Sequence, residues 1–101
     1  MPATKGAVAS TRRYTWDEEK RATNVRNHGV DFAAAQDFDW ETALEFEDRR
    51  RDYGERRLIS YGKIGSRLYV MVWTARQEAV RIISLRKANT REITRYEVSQ
   101  A

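Results

Sequence analysis

The sequence of 101 residues contains no cysteine and only one histidine, His28. Without cysteine the chain has neither disulfide bonds nor thiolate ligands for a metal, and thiol redox chemistry is excluded. With one histidine, a mechanism in which two histidines act as acid and base is excluded as well. The absence of cysteine fits a reducing compartment, and we expect a cytoplasmic protein.

Long apolar runs are also missing. No segment approaches the roughly 20 apolar residues that span a bilayer, and no apolar run of signal-peptide length stands at the N-terminus. We therefore expect a protein without membrane association. Residues 1–11 are small and polar without periodicity. This composition predicts a flexible tail over residues 1–12, followed by a single domain over residues 13–101.

Charge is abundant and unevenly distributed, with a formal net charge of +4. Residues 31–57 contain nine acidic and five basic side chains, whereas residues 80–101 contain five basic and two acidic ones. Summed charge steers phosphates toward a protein and sets their affinity. The basic end of the chain therefore favours a polyanionic partner.

The clearest predicted strand lies at residues 80–85, where β-branched and aliphatic side chains load both faces. This composition is typical of a strand that is covered on both sides and lies inside its sheet. A helix is predicted from Thr90. Asn89 is its expected N-cap, and Glu92 is placed to reach back and complete a capping box.

Two cations, Arg86 and Lys87, stand where this strand meets the helix. Strand alternation sends them to opposite sides of the last pleat, and unpaired amides of the helix N-terminus lie nearby. Together these donors suit a phosphate group. The alternative interpretation is that both cations are the solvated end of an ordinary strand.

Periodicity and turn residues divide the rest of the chain into short elements. A strand at residues 14–16 precedes a helix that begins after Asp17 and ends near Asn27, and a helix of about two turns follows Asp31. Further strands are predicted at residues 44–47, 58–61, 68–73 and from Val80. The last three form an antiparallel meander. The predicted fold is α+β, an antiparallel sheet with the order β-α-α-β-β-β-β-α and helices packed on it.

Cleavage of an RNA phosphodiester needs a base for the 2′-hydroxyl, an acid for the leaving oxygen and positive charge at the phosphorane. His28 falls at the C-terminus of the first predicted helix. The helix dipole there favours the protonated imidazole and a role as acid or phosphate contact. The alternative is that His28 caps the last carbonyls of the helix.

The carboxylates of the acidic segment show no spacing typical of metal ligands. We interpret them as solvation of the surface or as a face for a basic partner, and we predict neither a metal nor a cofactor. These carboxylates belong to Asp31, Asp37, Asp39, Glu41, Glu45, Glu47 and Asp48.

An ordered set of motifs runs through residues 13–97. It consists of Tyr14-Thr15-Trp16-Asp17, Lys20, Asn24, His28-Gly29-Val30-Asp31-Phe32, Asp52-Tyr53-Gly54-Glu55-Arg56-Arg57, Arg81-Ile82-Ile83-Ser84-Leu85-Arg86-Lys87-Ala88, Glu92 and Tyr96. In this set the chain resembles the BrnT toxin family. Asn27 stands where that family commonly has a lysine, and Leu85 replaces the usual alanine. The first departure removes one candidate cation.

The resemblance implies a RelE-like fold and a toxin of a type II toxin–antitoxin system. The implied activity is that of a metal-independent endoribonuclease of the mRNA interferase type, which cleaves RNA, inhibits translation and arrests growth. The implied partner is a BrnA-type antitoxin that neutralises the toxin in a hetero-oligomer. The complex of toxin and antitoxin, and not the toxin alone, is implied to bind operator DNA.

Residue roles follow from the same resemblance. Carried over by position, the expected catalytic residues are Arg86, Lys87, His28 and Lys20, and the expected RNA-binding residues are Arg57, Arg81, Tyr96 and Asn24. In this hypothesis Arg86 and Lys87 stabilise the phosphorane charge, and His28 or Lys20 transfers a proton. Two alternatives are a non-enzymatic module that binds an antitoxin or nucleic acid, and a toxin whose catalytic set has degenerated.

Overall fold

The computed structural model describes residues 12–101, so the predicted tail lies outside the described residues except for Arg12. In this range the chain forms five strands, two α-helices and one 3₁₀ helix. Their bounds are β1 (Tyr14–Thr15), α1 (Glu18–His28), the 3₁₀ helix (Phe32–Asp37), β2 (Leu44–Glu47), β3 (Leu58–Ile64), β4 (Arg67–Arg76), β5 (Ala79–Lys87) and α2 (Thr90–Gln100). None of these helices is long and apolar enough to cross a membrane.

The strands of residues 12–101 form one sheet in the order β1-β5-β4-β3-β2. Strands β2 to β5 follow one another as an antiparallel meander, and the predicted α+β class and meander are confirmed. β5 lies between β4 and β1, so it is an interior strand as expected. The prediction of a purely antiparallel sheet is wrong, because β1 pairs in parallel with β5 at Val80 and Arg81. A strand of two residues is too short for its side-chain pattern to predict whether it pairs in parallel or antiparallel.

The second predicted α-helix is a 3₁₀ helix. Asp31 caps it by accepting a hydrogen bond from the backbone N–H of Ala33, as a helix N-cap does. Phe32, Ala35 and Phe38 are nearly or fully buried, and they recur every three residues. Side chains three residues apart eclipse one another in a 3₁₀ helix. This spacing is therefore compatible with the tighter helix, which aligns Phe32 with Ala35, and Phe38 follows as its extended C-cap.

The two faces of the sheet support separate cores. On the first face, the 3₁₀ helix and its flanks pack on side chains that include Met71, Trp73 and Leu85. On the second face, α2 packs through Ile93 and Tyr96 on a cluster that contains Tyr61, Leu68 and Val70. The two helical elements thus cover opposite faces of one meander.

Helix α1 is polar and has one buried side chain, that of Asn24. Asp17 caps the helix, and Gly29 ends it in the left-handed conformation with φ of 69°. Asn24 accepts a hydrogen bond from the backbone N–H of Leu85 at 3.1 Å and donates to the carbonyl of Leu85 at 2.7 Å. It also donates to the carbonyl of Val30 at 2.9 Å.

These bonds make the amide of Asn24 a substitute for a neighbouring strand. β1 covers the edge of β5 only at Val80 and Arg81, and farther along that edge Asn24 pairs with both backbone groups of Leu85. Buried backbone groups must be paired, because an unsatisfied donor or acceptor costs free energy comparable to a lost hydrogen bond. Asn24 therefore fixes α1 against β5.

We expect Asn24→Ala to lower the free energy of unfolding by about 2–4 kcal/mol, because each buried group that loses its partner costs about 1–3 kcal/mol. Urea denaturation measures this loss. Asn27→Ala is the matched control, since Asn27 is exposed on the same helix and its replacement should cost under about 0.5 kcal/mol. Equal losses for the two variants would contradict the bridging role of Asn24.

Candidate functional site

A β-bulge in β5 determines which of its side chains share a face. Trp73 of β4 pairs with Ile82 and Val72 pairs with Ser84, so Ile83 is an extra residue on β5. A bulge reverses the alternation of the residues beyond it. Arg81 and Arg86 are five residues apart and would lie on opposite faces of a regular strand. With the bulge, both lie on the second face.

Arg81, Ser84 and Arg86 consequently follow one another along the second face of β5. Arg81 is opposite Thr74, and Arg86 is opposite Val70. Four pleat steps of about 3.3 Å separate the Cα atoms of Arg81 and Arg86 by roughly 13 Å. The two arginines therefore lie about four pleat steps apart along one face of the sheet.

Arg86 is held by the first turn of α2. Its Nη1 donates to Oε1 of Glu92 at 2.9 Å, and its Nη2 donates to Oε2 of Glu92 at 2.7 Å. These hydrogen bonds are the main cause of the raised pKa of Arg86 and of the lowered pKa of Glu92. The predicted capping box between Asn89 and Glu92 is confirmed.

A second ion pair lies in the loop between β2 and β3. The side chain of Asp48 is fully buried, and it accepts hydrogen bonds from Nε of Arg50 at 2.8 Å and from Nη2 of Arg50 at 2.7 Å. These bonds hold the pKa of Asp48 well below its usual range. Arg50 and Tyr61 interact electrostatically with Arg86. Asp48 therefore fixes a further cation whose charge acts on Arg86.

A depression of about 160 Å³ lies at the Arg81 end of the second face. Four cations line it together with Asp17 and Glu55, namely Lys20, Arg57, Arg76 and Arg81. The guanidinium of Arg57 stacks on the ring of Tyr53 at 4.0 Å. Its Nε is buried and has no hydrogen-bond partner within residues 12–101, although Glu55 lies 3.6 Å away.

A wider groove of about 410 Å³ runs between α1 and β5. It contains Lys20, Asn24 and His28, together with Ser84 of the second face. Lys20 lines both this groove and the depression at Arg81, so the two adjoin. His28 is exposed, and within the described part of the chain its imidazole makes no hydrogen bond. Gly29, and not His28, closes the helix by donating its backbone N–H to the carbonyl of Val25.

The structure thus brings five of the eight predicted site residues to adjoining parts of the surface. These five are Lys20, His28, Arg57, Arg81 and Arg86. The other three are placed differently. Asn24 lines the groove, but it is buried and its amide is bonded to backbone groups. Tyr96 is 6% exposed, and its hydroxyl is paired with Oγ1 of Thr42 at 3.1 Å. Lys87 lies on the first face, opposite Tyr69.

Sequence reasoning missed Arg50, Arg76 and Ser84. Arg50 sits in an arginine run, Arg49-Arg50-Arg51, in which nothing marks the residue that Asp48 binds. Arg76 lies beyond the strand predicted at residues 68–73, whereas β4 extends through it. Ser84 faces the groove only because of the bulge. The one signal for the bulge in the sequence is the apolar spacing of Val80, Ile82 and Leu85, which changes from two residues to three. The apolar neighbour Ile83 obscures it.

A small α+β protein that gathers cations on one face of its sheet is suited to bind a polyanion, because several cations act on successive phosphates.

A comparison with protein-family models identifies the family more closely. Residues 16–92 match the model described as "Ribonuclease toxin, BrnT, of type II toxin-antitoxin system". The chain belongs to this family of ribonuclease toxins. Membership implies an antitoxin partner. A search of curated proteins finds no significant match.

The ion pair of Asp48 and Arg50 predicts a pH dependence of stability. The pKa of Asp48 in the folded protein lies below its ordinary value of 3.8. The contribution of the pair is therefore complete above that value and is lost as the pH falls toward the folded-state pKa. Asp48→Asn removes the charge and keeps the shape. We expect it to destabilise the protein near neutral pH, with the difference from wild type shrinking between about pH 5 and about pH 2.

Urea unfolding followed by circular dichroism at several pH values measures this difference. If the variant and the wild type lose stability in parallel over that pH range, the ion pair does not have the assigned effect.

Proposed function

We propose that the protein is a metal-independent endoribonuclease that cleaves messenger RNA and thereby inhibits translation and arrests growth. The reaction takes place on a cationic surface, defined as Lys20, His28, Arg50, Arg57, Arg76, Arg81 and Arg86. The observation that carries this proposal is the bulge at Ile83, because it aligns Arg81 and Arg86 on the face that the other cations border.

In the proposed reaction, the 2′-hydroxyl of the RNA loses its proton and attacks the adjacent phosphorus. The bond from phosphorus to the 5′ oxygen then breaks, and that oxygen takes up a proton. The products are a 2′,3′-cyclic phosphate and a 5′-hydroxyl. His28 and Lys20 line the same groove and are the proposed proton-transfer groups. Arg86 stabilises the phosphorane charge.

Side chains supply the positive charge that this reaction requires. Arg86 lies on the second face of β5, and the charge of Arg50 interacts with it electrostatically. A fixed guanidinium is as suitable as a metal ion for stabilising a developing oxyanion, and it requires no ligand set. We therefore propose that cleavage continues in the presence of a metal chelator.

The remaining cations bind the RNA backbone on either side of the cleaved bond. Arg57, Arg76 and Arg81 share one depression, and their guanidinium groups supply N–H donors for phosphate oxygens. We give Asn24, Tyr96 and Lys87 no contact with the RNA, because the first two are buried and the third is on the opposite face.

We also propose a RelE-like topology and neutralisation by a BrnA-type antitoxin, with operator DNA bound only by the complex. The family match and the arrangement of helices on an antiparallel meander support this part of the proposal. A non-enzymatic binding module would use the same surface without turnover. Cleavage of RNA separates the two functions.

We expect Arg86→Ala to abolish growth arrest and to lower RNA cleavage by about 100- to 1000-fold, as the loss of one charge-stabilising donor typically does. Arg67→Ala is the matched control, since Arg67 is exposed and, as the neighbour of the second-face residue Leu68 in β4, lies on the first face. The measurements are growth after induction and the appearance of new 5′ ends in total RNA.

Both variants should still bind the antitoxin and unfold cooperatively. Growth arrest by a folded Arg86→Ala variant would refute the assigned role of Arg86. Intact RNA in cells that express folded wild-type protein would refute the ribonuclease proposal and favour the binding module.

We expect Arg57→Ala and Arg81→Ala each to weaken binding of a non-cleavable single-stranded oligonucleotide. Each substitution should reduce the slope of log K against log salt concentration by about 0.7, the contribution of one phosphate contact to a single strand. Fluorescence anisotropy at several salt concentrations measures the slope, with Arg67→Ala as the control. Unchanged slopes for both variants would remove these residues from the RNA path.

A further inference from the structure

Glu92 makes two kinds of contact at once. Its carboxylate accepts both Nη atoms of Arg86, at 2.9 Å and 2.7 Å. Its Oε1 also accepts the backbone N–H of Asn89 at 2.9 Å, which is half of the capping box of α2. The Glu92 side chain is only 14% exposed, so water competes weakly for these bonds. Arg86 is therefore attached to the helix N-terminus through one carboxylate.

The hydrogen bonds of Arg86 leave one edge of its guanidinium available. A guanidinium has five N–H groups in a fixed plane. Nη1 uses one for Glu92 and directs another toward the carbonyl of Lys87 at 3.3 Å, and Nη2 uses one for Glu92. The N–H of Nε and the second N–H of Nη2 lie side by side on the free edge. Within the described residues neither of them has a partner.

This free edge is a two-pronged donor of the kind that matches a phosphate. It belongs to a side chain on the second face of β5, and the charge of Arg50 interacts with it electrostatically. Without Glu92, the flexible side chain of Arg86 would sample several rotamers. The carboxylate removes this freedom.

We propose that Glu92 is a positioning residue that orients the free edge of Arg86 toward the scissile phosphate. This inference rests on the proposed ribonuclease function. Glu92 does not contact the RNA itself, because both of its oxygens are occupied by Arg86 and Asn89. Its effect on catalysis passes through the guanidinium.

Glu92→Gln separates the positioning role from the helix cap. Glutamine at this position also completes a capping box, but it loses the charge and one of the two acceptors for Arg86. We expect kcat for RNA cleavage to fall by about 10- to 100-fold with little change in KM, since a misplacement of about 1 Å costs roughly 100-fold. Thermal unfolding should show that the variant remains folded.

Glu97→Gln is the matched control, because it makes the same change at an exposed position of the same helix. A double-mutant cycle with Arg86→Lys tests whether the two residues act together. If Glu92 acts through Arg86, adding Glu92→Gln to Arg86→Lys lowers kcat by much less than it does in the wild type. Equal factors in both backgrounds would overturn the proposal, and so would faster cleavage by Glu92→Gln.

A side-chain NMR measurement gives a readout that does not depend on cleavage. Titration with a DNA oligonucleotide, which lacks the 2′-hydroxyl and is not cut, should shift the Nε–Hε signal of Arg86 in the wild type and leave it nearly unchanged in Glu92→Gln. If the wild type cuts no RNA but shows this difference, the ribonuclease proposal fails and the positioning role stands. If RNA is cut and the two proteins give equal shifts, the positioning role fails alone.

Discussion

The alternation of side chains along β5, and its interruption at Ile83, is the constraint on which the functional surface depends. In a regular strand, an odd spacing places Arg81 and Arg86 on opposite faces. The extra residue reverses the alternation and brings both to the second face, while Val80, Ile82 and Leu85 all remain in the first-face core. The bulge therefore keeps the apolar side chains of β5 in the core and places both arginines on the other face.

The bulge would be of little use if α1 were free to move, because Lys20 and His28 belong to that helix. α1 has almost no apolar face with which to pack, and the amide of Asn24 replaces such packing by bonding both backbone groups of Leu85. The anchor point lies between Ser84 and Arg86. The helical groups of the surface are consequently fixed beside the part of β5 that they are proposed to assist.

The cations of the surface repel one another, and the protein offsets this repulsion with paired carboxylates. Glu92 binds Arg86, Asp48 binds Arg50, and Glu55 lies near both Arg57 and Arg76. In the first two pairs the carboxylate is more buried than its cation: Glu92 is more buried than Arg86, and Asp48 is more buried than Arg50. Such pairs orient guanidinium groups while leaving part of each group exposed, which is the arrangement that phosphate binding requires.

Much of this protein was predictable from local sequence. The strand at residues 80–85, the capping box of α2 and the α+β meander follow from side-chain pattern and capping chemistry, which act over a few neighbouring residues. Ordered motifs also indicated the family. By contrast, the parallel pairing of β1, the bulge at Ile83 and the burial of Asn24 depend on partners far along the chain. Tertiary structure alone decided them, because a strand's register and a polar side chain's bonding are set by the elements that pack against it.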